Sequence, residues 1–225
     1  TKKKLPAITV PVIIFFALFS FYIGGKLFYL LDELPFTSSV NIKFFFSNSG
    51  FNFLGGLLTF FALIFIYSKI AKVSALEIFD LVSFPLLLIY CIGRLGCHLS
   101  GDGDYGTIIP PSSPFAFLGT SYEKGTLPTL PGVMVHPTPL YEIVITILIF
   151  LYLWRKQEDF IVPGLLFSLY LILTGIERFS IEFIRLNPKI IAGMTQTQLI
   201  SLIFIFFGIF LYRKTNAQRL KELYG

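Results

Sequence analysis

The chain alternates long apolar segments with short polar connections. A helix that crosses a membrane needs about 20 mostly apolar residues. Six segments reach or approach that length, namely residues 8–31, 50–67, 78–95, 140–154, 163–184 and 199–212. None shows the alternating pattern of a barrel strand, so we expect an all-α polytopic membrane protein with six transmembrane helices, of which the short fourth and sixth extend into flanking residues. Because no repeat or linker divides the chain, residues 1–225 are predicted to form a single integral membrane domain.

The composition supports this interpretation. Hydrophobic residues make up 55% of the 225 residues and charged residues only 14%, whereas soluble chains average about 25% charged residues. Mean hydropathy is +0.77, and a soluble fold of this size cannot hide so much apolar surface. These values exclude a cytosolic enzyme and a disordered tail. The two cysteines, Cys91 and Cys97, are too few for a disulfide-stapled secreted module.

The distribution of lysine and arginine predicts the orientation. Cytoplasmic connections of membrane proteins carry an excess of these residues. Eleven of the 18 lie on the side that holds both termini and four on the other, so we expect both termini in the cytoplasm. A connection of roughly 40 residues, 99–138, then lies on the non-cytoplasmic side. The net charge of +5 reflects this asymmetry and does not indicate nucleic-acid binding, because no basic stripe carries interleaved aromatic residues.

Ionisable residues inside the apolar segments are costly and usually mark a functional site. Arg94 lies near the outer end of the third segment. Arg178, Glu182 and Arg185, in and just after the fifth segment, have the spacing of one helical face. Arginine binds phosphate through two parallel hydrogen bonds. Three converging guanidinium groups therefore predict a phospholipid head-group site near the outer leaflet.

Two structural interpretations compete with this site. Arg94 could extend to the membrane interface, although the adjacent Gly93 and Gly96 indicate a close backbone approach instead. Arg178 and Glu182 could form a packing ion pair, although a second arginine one turn on leaves that face with a surplus positive charge.

Two further polar groups flank the long connection. His136, Tyr141 and Glu142 stand where the chain re-enters the membrane, and a helix-dipole role is the structural alternative for the glutamate. Asp102 and Asp104 stand in a glycine-rich run near the start of the connection. Two carboxylates fall short of the six or more oxygens that calcium prefers, so a tight turn is favoured over a cation site. No zinc set, P-loop or dinucleotide-binding fingerprint is present.

Together these residues resemble the prolipoprotein diacylglyceryl transferases of bacterial inner membranes, along nearly the whole chain. The motifs are Gly93-Arg94-Leu95-Gly96 with the later Asp102 and Tyr105-Gly106, His136-Pro-Thr-Pro-Leu-Tyr141-Glu142, Arg178-x-x-x-Glu182-x-x-Arg185, residues 194–202 with Gln198, and Gly24-Gly25 and Gly55-Gly56. The family has seven spans and an outer amino terminus. The beginning of this chain resembles the loop before the family's second span, so we expect the first span to be absent.

Three residues depart from the family pattern. Leu54 stands where the family usually has a histidine, Cys97 where it has an asparagine, and Thr174 where it has a tyrosine. One extra residue also precedes Gly106. These positions are linked with catalysis or substrate contact in the family, so identical chemistry does not follow from the resemblance.

The resemblance implies transfer of a diacylglyceryl group from phosphatidylglycerol to the lipobox cysteine thiol of a prolipoprotein, with release of glycerol phosphate. The expected catalytic residues are Arg94, His136, Arg178, Glu182 and His98. The expected substrate-binding residues are Gly93, Asp102, Gly106, Tyr141, Glu142, Arg185, Gly55 and Gly56. No metal or other cofactor is expected. The expected partners are phosphatidylglycerol, the lipobox segment and membrane lipids in the bacterial inner membrane, and no nucleic acid.

The expected roles follow from the chemistry of the transfer. Arg94 and Arg178 stabilise the charge that develops on the leaving phosphate. A thiol needs a base or positive surroundings to become a thiolate; since Leu54 cannot accept a proton, His136 is the first candidate base and His98 the second. A glutamate, Glu142 or Glu182, then orients the histidine or holds an arginine in place.

Three alternatives stay open at this point. One is a transferase with the same fold and phospholipid donor but a different acceptor. Another is a catalytically inactive, lipid-binding membrane subunit or transporter. The third is a structural partner within a larger membrane complex, in which the three departures from the family pattern are unsurprising. Transporters usually show internal repeats or paired broken helices, and this sequence shows neither.

Overall fold

A computed structural model describes residues 6–33 and 53–224 of the chain. These residues form mostly α-helix, with a π-helical turn, Ser20–Gly24, that joins α1 to α2. The helices are α1 Thr9–Phe19, α2 Gly25–Glu33, α3 Phe53–Ala71, α4 Ala75–Ser100, α5 Thr138–Arg155, α6 Leu165–Ile181 and α7 Gln196–Tyr224. Two short antiparallel strands, β1 Lys189–Ile191 and β2 Met194–Thr195, precede α7.

The helices coincide with the predicted apolar segments. Each segment is helical over most of its described part, and α5 and α7 extend beyond the predicted ends of the fourth and sixth segments, as expected. Residues 50–52 of the second segment lie outside the described residues. Among the described residues, four helical runs are long and apolar enough to cross a membrane, namely Thr9–Leu31, Ala75–Ser100, Thr138–Arg155 and Gln196–Leu220. The protein is therefore a multi-pass membrane protein, and a total of six spans stays a prediction.

Large apolar side chains on the outside of these helices fit a lipid environment. On α7, Phe206, Phe207 and Phe210 are 67%, 51% and 64% exposed. Soluble monomers rarely expose contiguous apolar patches of this kind. Contact of such side chains with lipid tails has no free-energy cost, because the tails are equally apolar.

The contacts divide the chain into two compact units, Thr1–Ile78 and Phe79–Gly225; the prediction of a single domain stays a prediction. In the first unit, small residues bring helices close together. A methyl group on Gly24 would overlap the side chain of Thr59, and one on Gly55 would overlap that of Phe28. Close approach at small residues is a common way to pack membrane helices. In the structure Gly55 thus has a packing role, whereas substrate binding by Gly55 and Gly56 stays a prediction.

In the second unit, α4, α5 and α6 share an apolar core that includes Leu87, Leu153 and Leu165. Asp80 of α4 fixes the start of α6, since its carboxylate accepts hydrogen bonds of 2.7 Å from the backbone N–H groups of Gly164 and Phe167. The first N–H groups of a helix have no partner within it. A side chain from another helix therefore satisfies them here.

The long connection between α4 and α5 is an ordered structure. Its two halves are joined by backbone hydrogen bonds from Ile109 N to Met134 O, 2.8 Å, and between Thr120 and Val135, 3.1 Å in both directions. Ile109 and Val135 are buried. The backbone pairing fixes where the segment leaves α4 and where it enters α5, and both points carry predicted site residues.

The start of α7 explains one motif of the sequence. The β1–β2 turn uses Ala192 and Gly193, both at positive φ. Thr195 and Gln198 then form a reciprocal pair, in which Thr195 N donates to the Gln198 side chain at 3.0 Å and Gln198 N donates to the Thr195 hydroxyl at 3.2 Å. This is a capping box, so Gln198 has a structural role at the helix start.

Candidate active site

Glu142 is the centre of a group of buried charges in the second unit. It lies in the second turn of α5 and is fully buried. Its carboxylate forms ion pairs with Arg94 Nε at 2.6 Å, Arg178 Nη1 at 2.6 Å and Arg185 Nη1 at 3.5 Å. A role as a helix-dipole partner does not account for three guanidinium contacts. We call the group the arginine–carboxylate cluster; its members are Arg94, Asp104, Glu142, Arg178, Glu182 and Arg185.

Asp104, expected only in a tight turn, is an acidic member of the cluster. Its carboxylate pairs with Arg94 Nη1 and with Arg185 Nη2, and the hydroxyl of Thr138 donates to its backbone carbonyl. Burial by itself raises the pKa of Asp104, but the guanidinium groups of Arg185 and Arg94 outweigh it and hold the pKa below its usual value. Asp102, the expected residue, is exposed and accepts a hydrogen bond of 3.2 Å from Asp104 N. It shapes the turn favoured by the sequence.

Arg185 is positioned in the cluster by a different structural element from the predicted one. The expectation that Arg178, Glu182 and Arg185 share one helical face is wrong for Arg185, because α6 ends at Ile181. Arg185 instead forms a β-bridge with Gly106. A Cβ at Gly106 would lie 2.6 Å from the carbonyl oxygen of Ile184, so only glycine allows this approach.

The charge pairing within the fifth segment also differs from the alternative weighed above. Glu182 accepts a hydrogen bond of 2.6 Å from the Asn187 side chain and lies 3.9 Å from Arg185 Nε. Arg178 pairs with Glu142, so the Arg178–Glu182 pair is not the one that forms. The surplus positive charge expected on that helical face is balanced in the structure, because the three arginines of the cluster face three carboxylates.

Arg94 points into the cluster. A Cβ at Gly93 or Gly96 would meet no atom of the described residues within 4 Å, so the close backbone approach expected at these glycines finds no support there. The Arg94 side chain is nevertheless only 15% exposed and is paired with two carboxylates. An arginine that extended to the membrane interface would lack these partners.

Tyr90 is a residue that the sequence analysis missed. Its hydroxyl accepts a hydrogen bond of 2.9 Å from Arg178 Nη1, and its ring lies 5.1 Å from the Arg94 guanidinium and 6.0 Å from that of Arg178. A cation over an aromatic face is attracted by the ring quadrupole. Tyr90 therefore holds two like charges side by side, and its position one helical turn before Arg94 is the signal that could have found it.

The arginines differ in their access to a ligand. The side chains of Arg94 and Arg178 are 15% and 23% exposed, whereas that of Arg185 is 7% exposed. Each guanidinium has five N–H donors, and the contacts of Arg178 use only Nη1. Arg94 and Arg178 thus keep N–H donors for an anion and are partly accessible to it, whereas Arg185 is buried within the cluster.

The two histidines lie beside tyrosines. His98 Nδ1 is 2.7 Å from the Tyr122 hydroxyl, and His136 Nδ1 is 3.1 Å from the Tyr141 hydroxyl. Burial, with a contribution from the Asp102 charge, raises the pKa of Tyr122 to about 12, so its hydroxyl stays protonated. Neither histidine forms a hydrogen bond or ion pair with an arginine or carboxylate among the described residues. A histidine that accepts a proton at Nε2 must carry its own proton on Nδ1 and donate it to the tyrosine oxygen.

The residues that depart from the family pattern have these surroundings. Thr174 donates to the carbonyl oxygen of Tyr170 at 2.7 Å, within its own helix. The thiol of Cys97 and the carboxylates of Asp102 and Asp104 have ligand atoms within 4.8 Å of one another. This donor set is poor for a cation, because both oxygens of Asp104 already contact guanidinium groups. Leu54 lies in α3.

The fold and the site together define a multi-pass membrane protein with a buried arginine–carboxylate cluster beside an ordered connecting segment. A family model described as Prolipoprotein diacylglyceryl transferase matches residues 1–213. The chain belongs to this family, which confirms the resemblance found in the motifs.

Several relatives carry the name Phosphatidylglycerol–prolipoprotein diacylglyceryl transferase. That of Leptospira interrogans is 31% identical, and the match covers 78% of this chain and 64% of the relative. Those of Finegoldia magna and Clostridium tetani are 29% and 32% identical, over 89% of this chain and 76% and 77% of the relatives. The chain thus spans just under two thirds of the length of the first relative and about three quarters of the other two.

Proposed function

We propose that the protein transfers a diacylglyceryl group from phosphatidylglycerol to the lipobox cysteine thiol of a prolipoprotein. The thiolate sulfur attacks the glyceryl carbon, and a sulfur–carbon bond forms as the bond from that carbon to the phosphate oxygen breaks. The electron pair of the broken bond stays on glycerol phosphate, which leaves. The thiol proton goes to a base. The names of the relatives support both substrates.

The observation that carries this proposal is the fixed position of Arg94 and Arg178. Glu142 contacts both guanidinium groups at 2.6 Å, and Tyr90 contacts both as well. The phosphate gains one negative charge as its carbon–oxygen bond breaks, and donors that are already in place need no reorganisation to meet it. Arg94 and Arg178 bind the phosphate, and the more deeply buried Arg185 is a positioning residue.

For the proton, His136 is the proposed base and His98 the second candidate. The hydrogen bond of each ring to a tyrosine hydroxyl supports a fixed ring orientation. With a proton on Nδ1, the opposite nitrogen is free to accept the thiol proton. If neither histidine acts, the unused N–H donors of Arg94 and Arg178 stabilise the thiolate directly and so lower the pKa of the incoming thiol.

We further propose that the protein lies in the bacterial inner membrane with both termini in the cytoplasm and the connection 99–138 outside. The division of basic residues, eleven against four, supports this orientation. Lys124 is exposed, so an introduced Lys124→Cys tests it with an impermeant thiol reagent. Labelling of intact cells supports the orientation, and labelling only after permeabilisation contradicts it.

The proposed activity is tested directly with purified protein, phosphatidylglycerol and a synthetic lipobox peptide. The expected result is a peptide mass increased by one diacylglyceryl group, with an equal amount of glycerol phosphate released. A peptide with serine in place of the cysteine is the matched control and gains no mass. Glycerol phosphate without peptide modification indicates another acceptor, and lipid binding without either product indicates an inactive lipid-binding subunit.

A further inference from the structure

A cavity of about 160 Å³ lies at the end of α5 opposite to the arginine–carboxylate cluster. Its polar wall contains Lys156, Asp159 and Arg219, together with Tyr152 and Tyr212, and Phe160 contributes to its apolar wall. The side chains of Lys156 and Asp159 are 55% and 49% exposed, so the cavity is accessible from outside. An apolar cavity of about 150 Å³ holds benzene, so this one has room for a phosphate group with its five heavy atoms.

The charges that line this cavity are loosely paired. Asp159 lies 3.7 Å from Lys156 Nζ and 3.7 Å from Arg219 Nη2, which is longer than a hydrogen bond. Arg219 Nε has no hydrogen-bond partner among the described residues. Among the described residues that line the cavity, two cations face one carboxylate, a net charge of +1 that is equal and opposite to that of a phosphodiester. Unused donors around a net positive charge favour an anion.

The position of the cavity along α5 is consistent with a membrane surface. The helix has 18 residues between Thr138 and Arg155, so its two ends are about 27 Å apart. This is close to the thickness of the hydrocarbon core, about 30 Å. Tyr152 and Tyr212 line the cavity, and tyrosines of this kind are enriched at the level of lipid head groups. The cluster and the cavity therefore lie near opposite surfaces of one bilayer.

We propose that the cavity binds a phosphate anion, held by Arg219 and Lys156, in the leaflet opposite to the cluster. The phosphate belongs to an anionic phospholipid head group or to a free phosphomonoester, and no reaction takes place there. Lysine and arginine supply the N–H donors that phosphate prefers, and basic pockets between membrane helices commonly hold anionic head groups. The site goes beyond the transfer reaction, because none of its residues belongs to the cluster.

Native mass spectrometry of the full chain in a neutral detergent tests this site. Dioleoylphosphatidylglycerol is titrated into the protein, and dioleoylglycerol, which lacks the phosphate, is the matched lipid. We expect two retained phosphatidylglycerol molecules, one at the cluster and one at the cavity, and no retained dioleoylglycerol. Arg219→Gln and Lys156→Gln should each weaken one of the two binding events at least about tenfold.

Two further variants separate anion binding from a general effect on folding. Asp159→Asn removes the carboxylate that competes for the two cations, so it should tighten the same binding event. Arg213→Gln removes an exposed cation of α7 that does not line the cavity and should bind as the wild type does. If the cavity variants match the wild type, or if dioleoylglycerol binds as well as phosphatidylglycerol, the proposal is overturned.

Competition with inorganic phosphate shows whether the ligand is a lipid or free phosphate. The Arg94→Gln variant shows which of the two lipids is bound at the cavity. If phosphate displaces the lipid that is sensitive to Arg219→Gln, the cavity recognises the phosphate itself; if only phosphatidylglycerol binds, the lipid is the ligand. Arg94→Gln should remove the other lipid and leave this one. The test of the cavity measures lipid binding and not transfer, so its outcome does not depend on the transferase proposal. Arg219→Gln should also leave the rate of diacylglyceryl transfer unchanged.

Discussion

The two ends of α5 hold charges in two different ways. Near Thr138, the fully buried Glu142 contacts guanidinium groups at 2.6 Å. Near Arg155, the half-exposed Asp159 has its cationic partners at 3.7 Å. A buried charge is costly to leave without its partners, whereas exposed ion pairs contribute little to stability. The first end is therefore a fixed electrostatic site suited to catalysis, and the second is an open site suited to reversible binding.

The largest expected effect of this difference concerns stability. Glu142→Gln leaves the three arginines of the cluster without their common partner, so we expect a loss of about 3–5 kcal/mol in the free energy of unfolding. Asp159→Asn, the matched change at the other end, should cost less than about 1 kcal/mol. Denaturation of both variants in detergent, followed by the fluorescence of the single tryptophan, measures this. Equal losses would remove the distinction between the two ends.

The next effect concerns the proton acceptor. His136→Gln, or failing that His98→Gln, should lower the rate of transfer at least about a hundredfold while lipid binding is retained. Single-turnover transfer to the lipobox peptide between pH 6 and 9 measures it for both variants and for the double variant. A double variant with the rate and pH profile of the wild type shows that neither histidine is the base. Thiolate formation assisted by the arginines is then the better explanation.

A smaller effect is expected at Tyr90, which contacts both Arg94 and Arg178. Tyr90→Phe removes the hydroxyl that accepts from Arg178 but keeps the ring beside Arg94, so kcat/KM should fall about tenfold. Tyr90→Leu also removes the cation–π contact and should cost more. If Tyr90→Phe and Tyr90→Leu both act like the wild type, the tyrosine does not position the arginines.

The smallest expected effect is the dependence of stability on pH at Asp104. The pKa of this carboxyl is lowered in the folded protein by Arg185 and Arg94, so its contribution is present above its unfolded pKa, about 3.9, and is lost as pH falls through the folded value. Asp104→Asn should therefore be less stable at pH 7 but lose less stability than the wild type below about pH 4. Thermal unfolding from pH 3 to 7 measures both slopes, and parallel slopes would contradict the assignment.

Much of the fold followed from the sequence because apolar length is a strong signal. The helices lie at the predicted segments, and buried ionisable residues pointed to Arg94, Glu142, Arg178 and Arg185. The rule behind this is energetic: a charge inside a membrane protein needs a partner. This rule identifies the charged residues but not their partners: Arg178 pairs with Glu142 and not with Glu182, which the spacing also allowed.

The roles of Asp104 and Tyr90 are hard to predict from a single sequence. Asp102 and Asp104 stand in the same turn, and only the backbone geometry decides which carboxylate reaches the arginines. Tyr90 lies in an apolar helix, where a tyrosine resembles any other aromatic side chain. α6 ends before Arg185, and Arg185 forms a β-bridge with Gly106. Helical spacing does not reveal such a contact between distant parts of the chain.

The central claim is that Arg94 and Arg178 hold the leaving phosphate through paired hydrogen bonds, which a lysine cannot reproduce. The most direct measurement is the single-turnover rate of glycerol phosphate release for Arg94→Lys, Arg94→Ala and the corresponding variants of Arg178, with Arg213→Lys as the control. We predict that each lysine variant loses about 10²- to 10³-fold, nearly as much as alanine, and that the control retains the wild-type rate. A lysine at either position that supports full turnover and lipid binding would contradict the account.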